Sequence, residues 1–378
     1  MRRWLAVAAA LTLASCAASA PPPPTEPIDP VLALRDAYRA RIADLPVAPQ
    51  GPSLPAASTV LSAIAFGSCH TAEQPIPILN VIAAERPQLF VYMGDNVYGD
   101  MRGGDASLPE LREQYARLAA RDEFRALRAA VPMLVTWDDH DYGLNDAGGD
   151  FTPKAHAKRI FETFWGVGAR TAVRDGIYDA HVFGPEGQRV QIILLDTRYG
   201  RTPLARLPQR APDGPYAQSD DPAQRMLSEA QWAWLEAQLR QPAELRFVVS
   251  SIQVLADGHH YEAWHTMPRE RARLYETIRS AGARGVTFVS GDRHIGGLYR
   301  QDGLIGYPAF EMTTSSLNLS FREISEERSS NQIGDMFAPV NYGVAAIDWP
   351  ARRLTYQIKD RDGRPVREQV IGFADLGL

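Results

Sequence analysis

Residues 136–146, TWDDHDYGLND, crowd Asp138, Asp139, Asp141 and Asp146 around His140, directly after the apolar run VPMLV (131–135). Carboxylates this close repel one another and are costly to desolvate. A chain tolerates such a cluster in two ways: water covers it, or cations sit among the acids. Five further apolar runs end in the same kind of tail. SAIAF (62–66) leads into GSCH (67–70), LFVYM (89–93) into GDNVYGD (94–100), and VQIILL (190–195) into DTRYGR (196–201). RFVVS (246–250) leads into SIQVLADGHH (251–260), and VTFVS (286–290) into GDRH (291–294). One polar tail is an ordinary solvated turn. Six in succession, carrying carboxylates, imidazoles, a thiol and arginines, offer the donors of a metal centre. Two cations held close together can polarise a phosphoryl oxygen, activate water and stabilise both attacking and leaving oxygens.

The runs that must position these tails are strand-length and rich in β-branched residues, as for strands buried on both faces. Helical patterns lie between them. Residues 109–130 read as one amphipathic helix. Residues 228–240 open with Ser228 and Gln231 in capping-box positions, and 269–282 end on Gly282 as a C-cap. Alternation of strand and helix predicts a layered α/β domain, whose site lies beyond the carboxyl ends of its strands. The long connections 200–224 and 320–341 are expected to shape access to it. Residues 343–373 alternate as a strand pair about the turn DRDG (360–363), closing one sheet.

The 378 residues are 45% hydrophobic and 22% charged, with a formal net charge of −5, so no basic field suited to nucleic acid is present. The chain opens MRRWLAVAAALTLASC: a basic start, an apolar stretch too short for a comfortable membrane span, and small residues before Cys16. That is the layout of a secretory signal. LASC (13–16) resembles a bacterial lipobox, which implies cleavage before Cys16, lipidation of Cys16 and attachment to a membrane of the bacterial envelope. An ordinary signal peptide with a chance cysteine is the plainer alternative. The expected organisation is a lipoprotein signal peptide over 1–15, a Pro-rich tether and N-terminal helix (31–45) within 16–58, and one catalytic domain over 59–378. With Cys16 lipidated, Cys69 has no disulfide partner, and is either a buried inert thiol or a metal ligand.

Taken in order, FGSCH, GDNVYGD, WDDHD, LDTR and GDRH resemble the alkaline phosphatase D (PhoD-like) family of the calcineurin-like metallophosphoesterases, over roughly residues 60–320. The resemblance implies a four-layer α/β/β/α metallophosphoesterase sandwich with two facing mixed sheets. It implies hydrolysis of phosphate mono- or diesters by metal-activated water, with ferric iron and calcium as the metals and zinc, manganese or magnesium as alternatives. It also assigns residues. Asp95 falls on a metal-bridging aspartate, Tyr98 on a tyrosinate bound to iron, and Cys69 on a thiolate ligand of the same iron. Asp139 is implied as a ligand, Asp138 as a ligand or an outer support, and His140 as the general acid beside the leaving-group oxygen. Asp292 and His294 match the final ligand pair. The aspartate there, where the wider superfamily has histidine, shifts that site toward harder cations. Arg198 and Arg293 are candidates to grip phosphate, a salt bridge to Asp196 or a neighbour being the competing reading for each. Asp141 is expected to support, Asn145 and Asp146 to offer oxygens to calcium, Gln253 to brace, and His70 is a weaker match. His259, His260 and His265 read as solvated loop histidines rather than ligands. A calcium-binding surface lipoprotein without catalysis is the alternative from another class. A Ser-His-Asp hydrolase lacks its GxSxG elbow.

Overall fold

The computed structural model describes residues 44–321 and 329–378. The expected signal sequence, Cys16, the expected tether and residues 31–43 of the expected helix lie outside the described residues. In chain order the strands are β1 (Ala63–Gly67), β2 (Leu89–Met93), β3 (Met133–Thr136), β4 (Asp179–Phe183), β5 (Val190–Leu194), β6 (Arg206–Ala211) and β7 (Gly214–Tyr216). They continue as β8 (Leu245–Ser250), β9 (Val286–Ser290), β10 (Gly296–Gln301), β11 (Ala309–Thr314), β12 (Asn341–Asp348), β13 (Arg353–Asp360) and β14 (Pro365–Gly372). One six-stranded sheet has the order β14-β13-β12-β1-β2-β3, the other β10-β11-β9-β8-β5-β4, and β6–β7 stand apart as a hairpin. In the first sheet β1, β2 and β3 run parallel and β12 joins β1 antiparallel. In the second, β5, β8, β9 and β11 run parallel while β4 and β10 pair antiparallel at the edges. Both sheets are therefore mixed.

Side-chain alternation sorts each strand into two cores. Ile64, Phe66, Val91 and Met93 of the first sheet meet Ile192, Leu194, Phe247 and Val249 of the second in one cluster between the sheets. Ala65, Phe90 and Tyr92 point the other way, onto the helices that include Leu111, Tyr115 and Phe161. Ile193, Val248 and Phe288 do the same against the helices carrying Leu235 and Leu274. The result is four layers: helix, sheet, sheet, helix. Strands apolar on both faces follow directly, because each face is covered.

Several elements differ from the sequence reading. Residues 109–130 form two helices, Pro109–Ala120 and Asp122–Ala130, because Arg121 is extended (φ −69°, ψ 128°) and its Nε donates to the Ala72 carbonyl at 2.6 Å. Ser228 does accept the Gln231 N–H at 3.1 Å, but the Gln231 side chain does not close the capping box. It clamps both backbone groups of Asp196 instead. Gly282 follows the helix Pro268–Ser280 at φ +66°, as a C-cap should. The expected C-terminal pair is three antiparallel strands, and the connection 200–224 carries the β6–β7 hairpin. Among the described residues, no helix is long and apolar enough to cross a membrane. The parallel strands deliver their polar tails to one edge of the sandwich.

Candidate metal centre

Backbone geometry at the strand ends turns side chains toward one point. Among the described residues, eight non-glycine residues have positive φ, and five of them are here: Cys69 (59°), Asp95 (49°), Asp146 (54°), Asp292 (67°) and His294 (56°). Such conformations cost on the order of 1–3 kcal/mol each and persist only where the surroundings enforce them. Gly94 (φ +100°) must be glycine, since a Cβ there would lie 2.5 Å from the Asp138 Cβ. The tails of β2 and β3 are thus in contact. Asp141 ties them together: its carboxylate accepts the backbone N–H groups of Asp138 (2.7 Å) and Asp95 (3.1 Å) and the Asn96 side-chain amide (2.5 Å). It is the support the sequence suggested.

Asp95 stands at the middle. The Cys69 thiol donates to its Oδ2 at 3.5 Å and the Tyr98 hydroxyl at 3.0 Å, and that hydroxyl also lies 3.0 Å from His294 Nε2. One set of donor atoms within 4.8 Å of one another comes from Cys69, Asp95 and His294; another comes from Asp95, Asp138, Asp139 and Asp292. Asp95 belongs to both. Its Oδ1, and the Oδ2 of Asp138, are buried without a hydrogen-bond partner. Orphaned carboxylate oxygens inside an acidic cluster fit a cation. A thiolate, phenolate, imidazole and carboxylate suit a transition metal such as iron, and four carboxylates suit a harder ion such as calcium. A further group, Asp139, Asp146 and Glu262, adjoins them.

The protonation tendencies agree. Burial, reinforced by neighbouring acids, pushes the carboxyls of Asp95, Asp138 and Asp292 well above the usual range, and likewise the Cys69 thiol and Tyr98 phenol. Asp139 is also buried, yet His140 and Arg198 hold it low. His140 is raised to about 11: burial opposes the charge, but Asp139, Asp95 and Asp100 outweigh it. Its Nδ1 lies 2.7 Å from Asp100 Oδ2, and its ring rests 4.1 Å from that of Tyr98. Burial lowers His294 to about 4, the neutral form a metal requires.

Other expectations need correction. Arg198 was a candidate to hold substrate phosphate, but its side chain has no exposed surface. Its Nε donates to Asp138 Oδ1 at 2.6 Å, and it ion-pairs with Glu262 Oε1 at 2.6 Å. Arg201, also buried, holds the other Glu262 oxygen at 2.7 Å. Arg198 therefore neutralises acids rather than facing a ligand. Arg293 does line a cavity of about 190 Å3 with Asp139, His140, Asp292 and His294, its guanidinium 4.3 Å from the Tyr261 ring. His259 and His265 are buried rather than solvated: His259 Nε2 meets Gln253 Oε1 at 3.0 Å, and His265 Nε2 meets the His259 carbonyl at 2.8 Å. His260 alone sits near the surface, beside Asp213. None of the three joins the donor groups. His70 is fully buried against Tyr92. Gln253 donates to Tyr299 and Thr313 and meets His259, none of them in the donor groups, so the bracing expected of it at the centre is not seen in these contacts. Asn145 borders the cavity, and the Asp146 N–H donates to Asp139 Oδ2 at 2.6 Å. Sequence reasoning missed Glu262 and Asp100. Asp100 carried a signal, as the second aspartate of GDNVYGD; Glu262 was one residue among the histidines of its loop.

Residues 64–339 match the family model described as PhoD-like phosphatase. Alkaline phosphatase D of Bacillus subtilis (strain 168) is 24% identical over 289 residues, which is 64% of this chain. The chain spans 47% of that relative's length. Among solved structures, one described as PhoD superposes with a TM-score of 0.67 at 17% identity, covering 84% of this chain and 70% of the other. A purple acid phosphatase from yellow lupin seeds gives 0.56 at 13% identity over 85% of this chain and 55% of its own. A dimetal phosphatase from Danio rerio gives 0.50 at 16% identity over 83% and 100%. At these identities the structures establish a shared fold.

The buried acids set an expected pH response. In metal-stripped protein, Asp141 and Asp146, each raised to about 7 chiefly by burial, keep protons that the unfolded chain releases near its carboxyl pKa of 3.8. The native state then binds more protons than the unfolded one between those values, so stability falls as pH rises through that window. His140, raised from 6.5, adds a loss of the same sign above pH 6.5. His70, His265 and His294, lowered by burial to about 3 or 4, oppose this trend below pH 6.5, where the unfolded chain binds their protons and the native one does not. The loss is therefore read above that value: chelated protein should melt lower at pH 8 than at pH 6.5. Metal-loaded protein should slope the opposite way, because acid protonates the ligands. Melting curves with and without chelator check this, and equal slopes would exclude a cation-dependent acid cluster.

Proposed function

The chain belongs to the PhoD-like phosphatase family, and from that premise we propose that it is a metal-dependent phosphoesterase whose reaction centre is organised by Asp95. The observation carrying this reading is that the Asp95 carboxylate is common to two donor sets of different chemistry. Cys69, Asp95, Tyr98 and His294 would hold ferric iron, and Asp95, Asp138, Asp139 and Asp292 would hold calcium. Cations there would polarise phosphoryl oxygens and make water a better nucleophile.

The chain's own groups then divide the work. Arg293, at the cavity wall, grips a phosphoryl oxygen. Asp100 fixes His140 through Nδ1, so that Nε2 carries a proton for the leaving oxygen. Attack by water forms a new P–O bond, the ester P–O bond breaks, and the departing alcohol takes the proton from His140; the proton of the attacking water stays with the product phosphate, and His140 is reprotonated from solvent. Arg198 and Glu262 hold Asp138 in place from behind. Both mono- and diesters fit this scheme. The reading also puts the enzyme on the bacterial envelope, exported and anchored by lipid on Cys16 with the Pro-rich residues 17–30 as tether. An inactive calcium-binding lipoprotein is disfavoured, because the full set Cys69, Asp95, Tyr98, Asp139, Asp292 and His294 is present in one place.

Three outcomes follow from this proposal. Asp95→Asn keeps volume and one oxygen but removes a charge from both donor sets. Metal content should fall, and p-nitrophenyl phosphate hydrolysis should drop on the order of a thousandfold, whereas the exposed Asp220→Asn should change neither. Two retained metals with more than about a tenth of the rate, against that loss, would remove Asp95 from the bridging role. Tyr98→Phe should abolish a visible phenolate-to-iron absorption band in the folded protein; an unchanged spectrum excludes Tyr98 as the ligand, and a colourless, iron-free, active wild type points to zinc or manganese. Cys16→Ala should release the protein from membranes with its activity intact. A wild type that is soluble and carries no acyl group would overturn the anchor.

A further inference from the structure

Asn145 and Asp146 border the cavity over the acids, and they also border a second, larger hollow of about 600 Å3. Its other walls include Met101, Leu144, Phe151, Leu204, Arg206 and Tyr216. These come from four separate segments held in fixed register. The Met101 N–H donates to the Gly143 carbonyl at 2.8 Å, which sets the β2 tail against the turn bearing Leu144. Phe151 packs its ring 5.3 Å from that of Tyr142. The β6–β7 hairpin is pinned from outside: the Tyr216 N–H donates to the His260 carbonyl at 2.8 Å, and a Cβ on Gly214 would strike that carbonyl carbon at 2.2 Å. Tyr216 is buried, with its hydroxyl donating to Asp146 Oδ2 at 2.5 Å and the Arg206 guanidinium 5.2 Å from its ring. Leu144 is 37% exposed, one of the few large apolar side chains left open to solvent among the described residues.

The smaller cavity, about 190 Å3, has room for roughly six waters at their liquid volume. It accommodates a phosphoryl group and little else. A sizeable group esterified to that phosphate needs further space, and the hollow that shares Asn145 and Asp146 with the cavity offers it, its walls slightly more apolar than polar with Asp150 and Arg206 among them. Its size is that of an ordinary small-molecule site. Resting on the phosphoesterase reading above, we propose that this hollow is the subsite for the organic group of the ester, and that it selects long-chain apolar or aromatic alcohols over small polar ones. Water adds to phosphorus, the ester P–O bond breaks, and the protonated alcohol is released from the hollow.

Ethyl phosphate and hexyl phosphate test this, since their alcohols leave equally well and differ only in apolar length. With each methylene moved fully out of water strengthening binding about fourfold, four extra methylenes should raise kcat/KM roughly 250-fold if fully buried and roughly sixteenfold if half-buried. Leu204→Gln, which makes one wall polar, should bring the hexyl-to-ethyl ratio toward one. Hexylphosphonate should inhibit wild type more strongly than ethylphosphonate by a similar factor, a measurement that does not depend on the variant's folding. Equal kcat/KM for the two esters, or a ratio unchanged in folded Leu204→Gln, overturns the subsite while leaving the phosphoesterase reading intact. Metal-loaded protein that hydrolyses neither ester nor p-nitrophenyl phosphate overturns that reading and the subsite with it.

Discussion

Mutual repulsion among buried carboxylates governs this structure. Asp138, Glu262, Arg198 and Arg201 form an alternating run of charges, each acid touching at least one guanidinium, so that much is balanced internally. Asp139 is held ionised by His140 and Arg198. Asp95 and Asp292 face only His140 and Arg293 as counter-charges, and burial still pushes both up. Asp138 is pushed up as well despite Arg198, so the protein's own cations do not balance the cluster, and external positive charge fits the acids around Asp95.

The sandwich exists to bring those acids together. Parallel strands in two facing sheets end on the same side, and each contributes a short tail at the rim. A tail leaving a strand naturally continues outward into solvent, so its side chain must be turned back. Left-handed backbone at Cys69, Asp95, Asp292 and His294 accomplishes that turn. Its cost is met by the well-packed cores on either side. A cysteine, two aspartates and a histidine in that conformation at three separate strand ends have no packing explanation, because glycine would serve the turns better.

Much of this was legible because buried parallel strands announce themselves as apolar runs, and ligands follow at their ends. The strands that escaped notice lie at edges or carry polar interior residues. β11 hides its identity behind Glu311, a buried carboxylate that accepts the Val254 and Leu255 N–H groups. Residues that act directly on the centre were readable from local motif and spacing. Of the residues that act through another, Asp141 was readable inside WDDHD, while those on distant loops were not. Glu262 matters only because Arg198 and Arg201, more than sixty residues earlier, fold against it. Arg198 and Arg293 look alike in a sequence. Only the fold encloses one between acids and sets the other at a cavity wall.

The two imidazoles of the centre show how far an outer partner can divide roles. His294 is oriented through Nδ1 by the Leu319 carbonyl at 3.0 Å, and His140 through Nδ1 by the Asp100 carboxylate at 2.7 Å. A neutral carbonyl fixes the tautomer without favouring charge, so burial keeps His294 neutral with its Nε2 lone pair toward Tyr98. A carboxylate stabilises the imidazolium, so His140 holds its proton despite equal enclosure. One ring is thereby suited to bind a metal and the other to deliver a proton, although the side chains are identical and both belong to the same few ångströms of acid. The difference lies in a second layer of oxygens, and that layer is supplied by backbone at 319 and by the last residue of GDNVYGD.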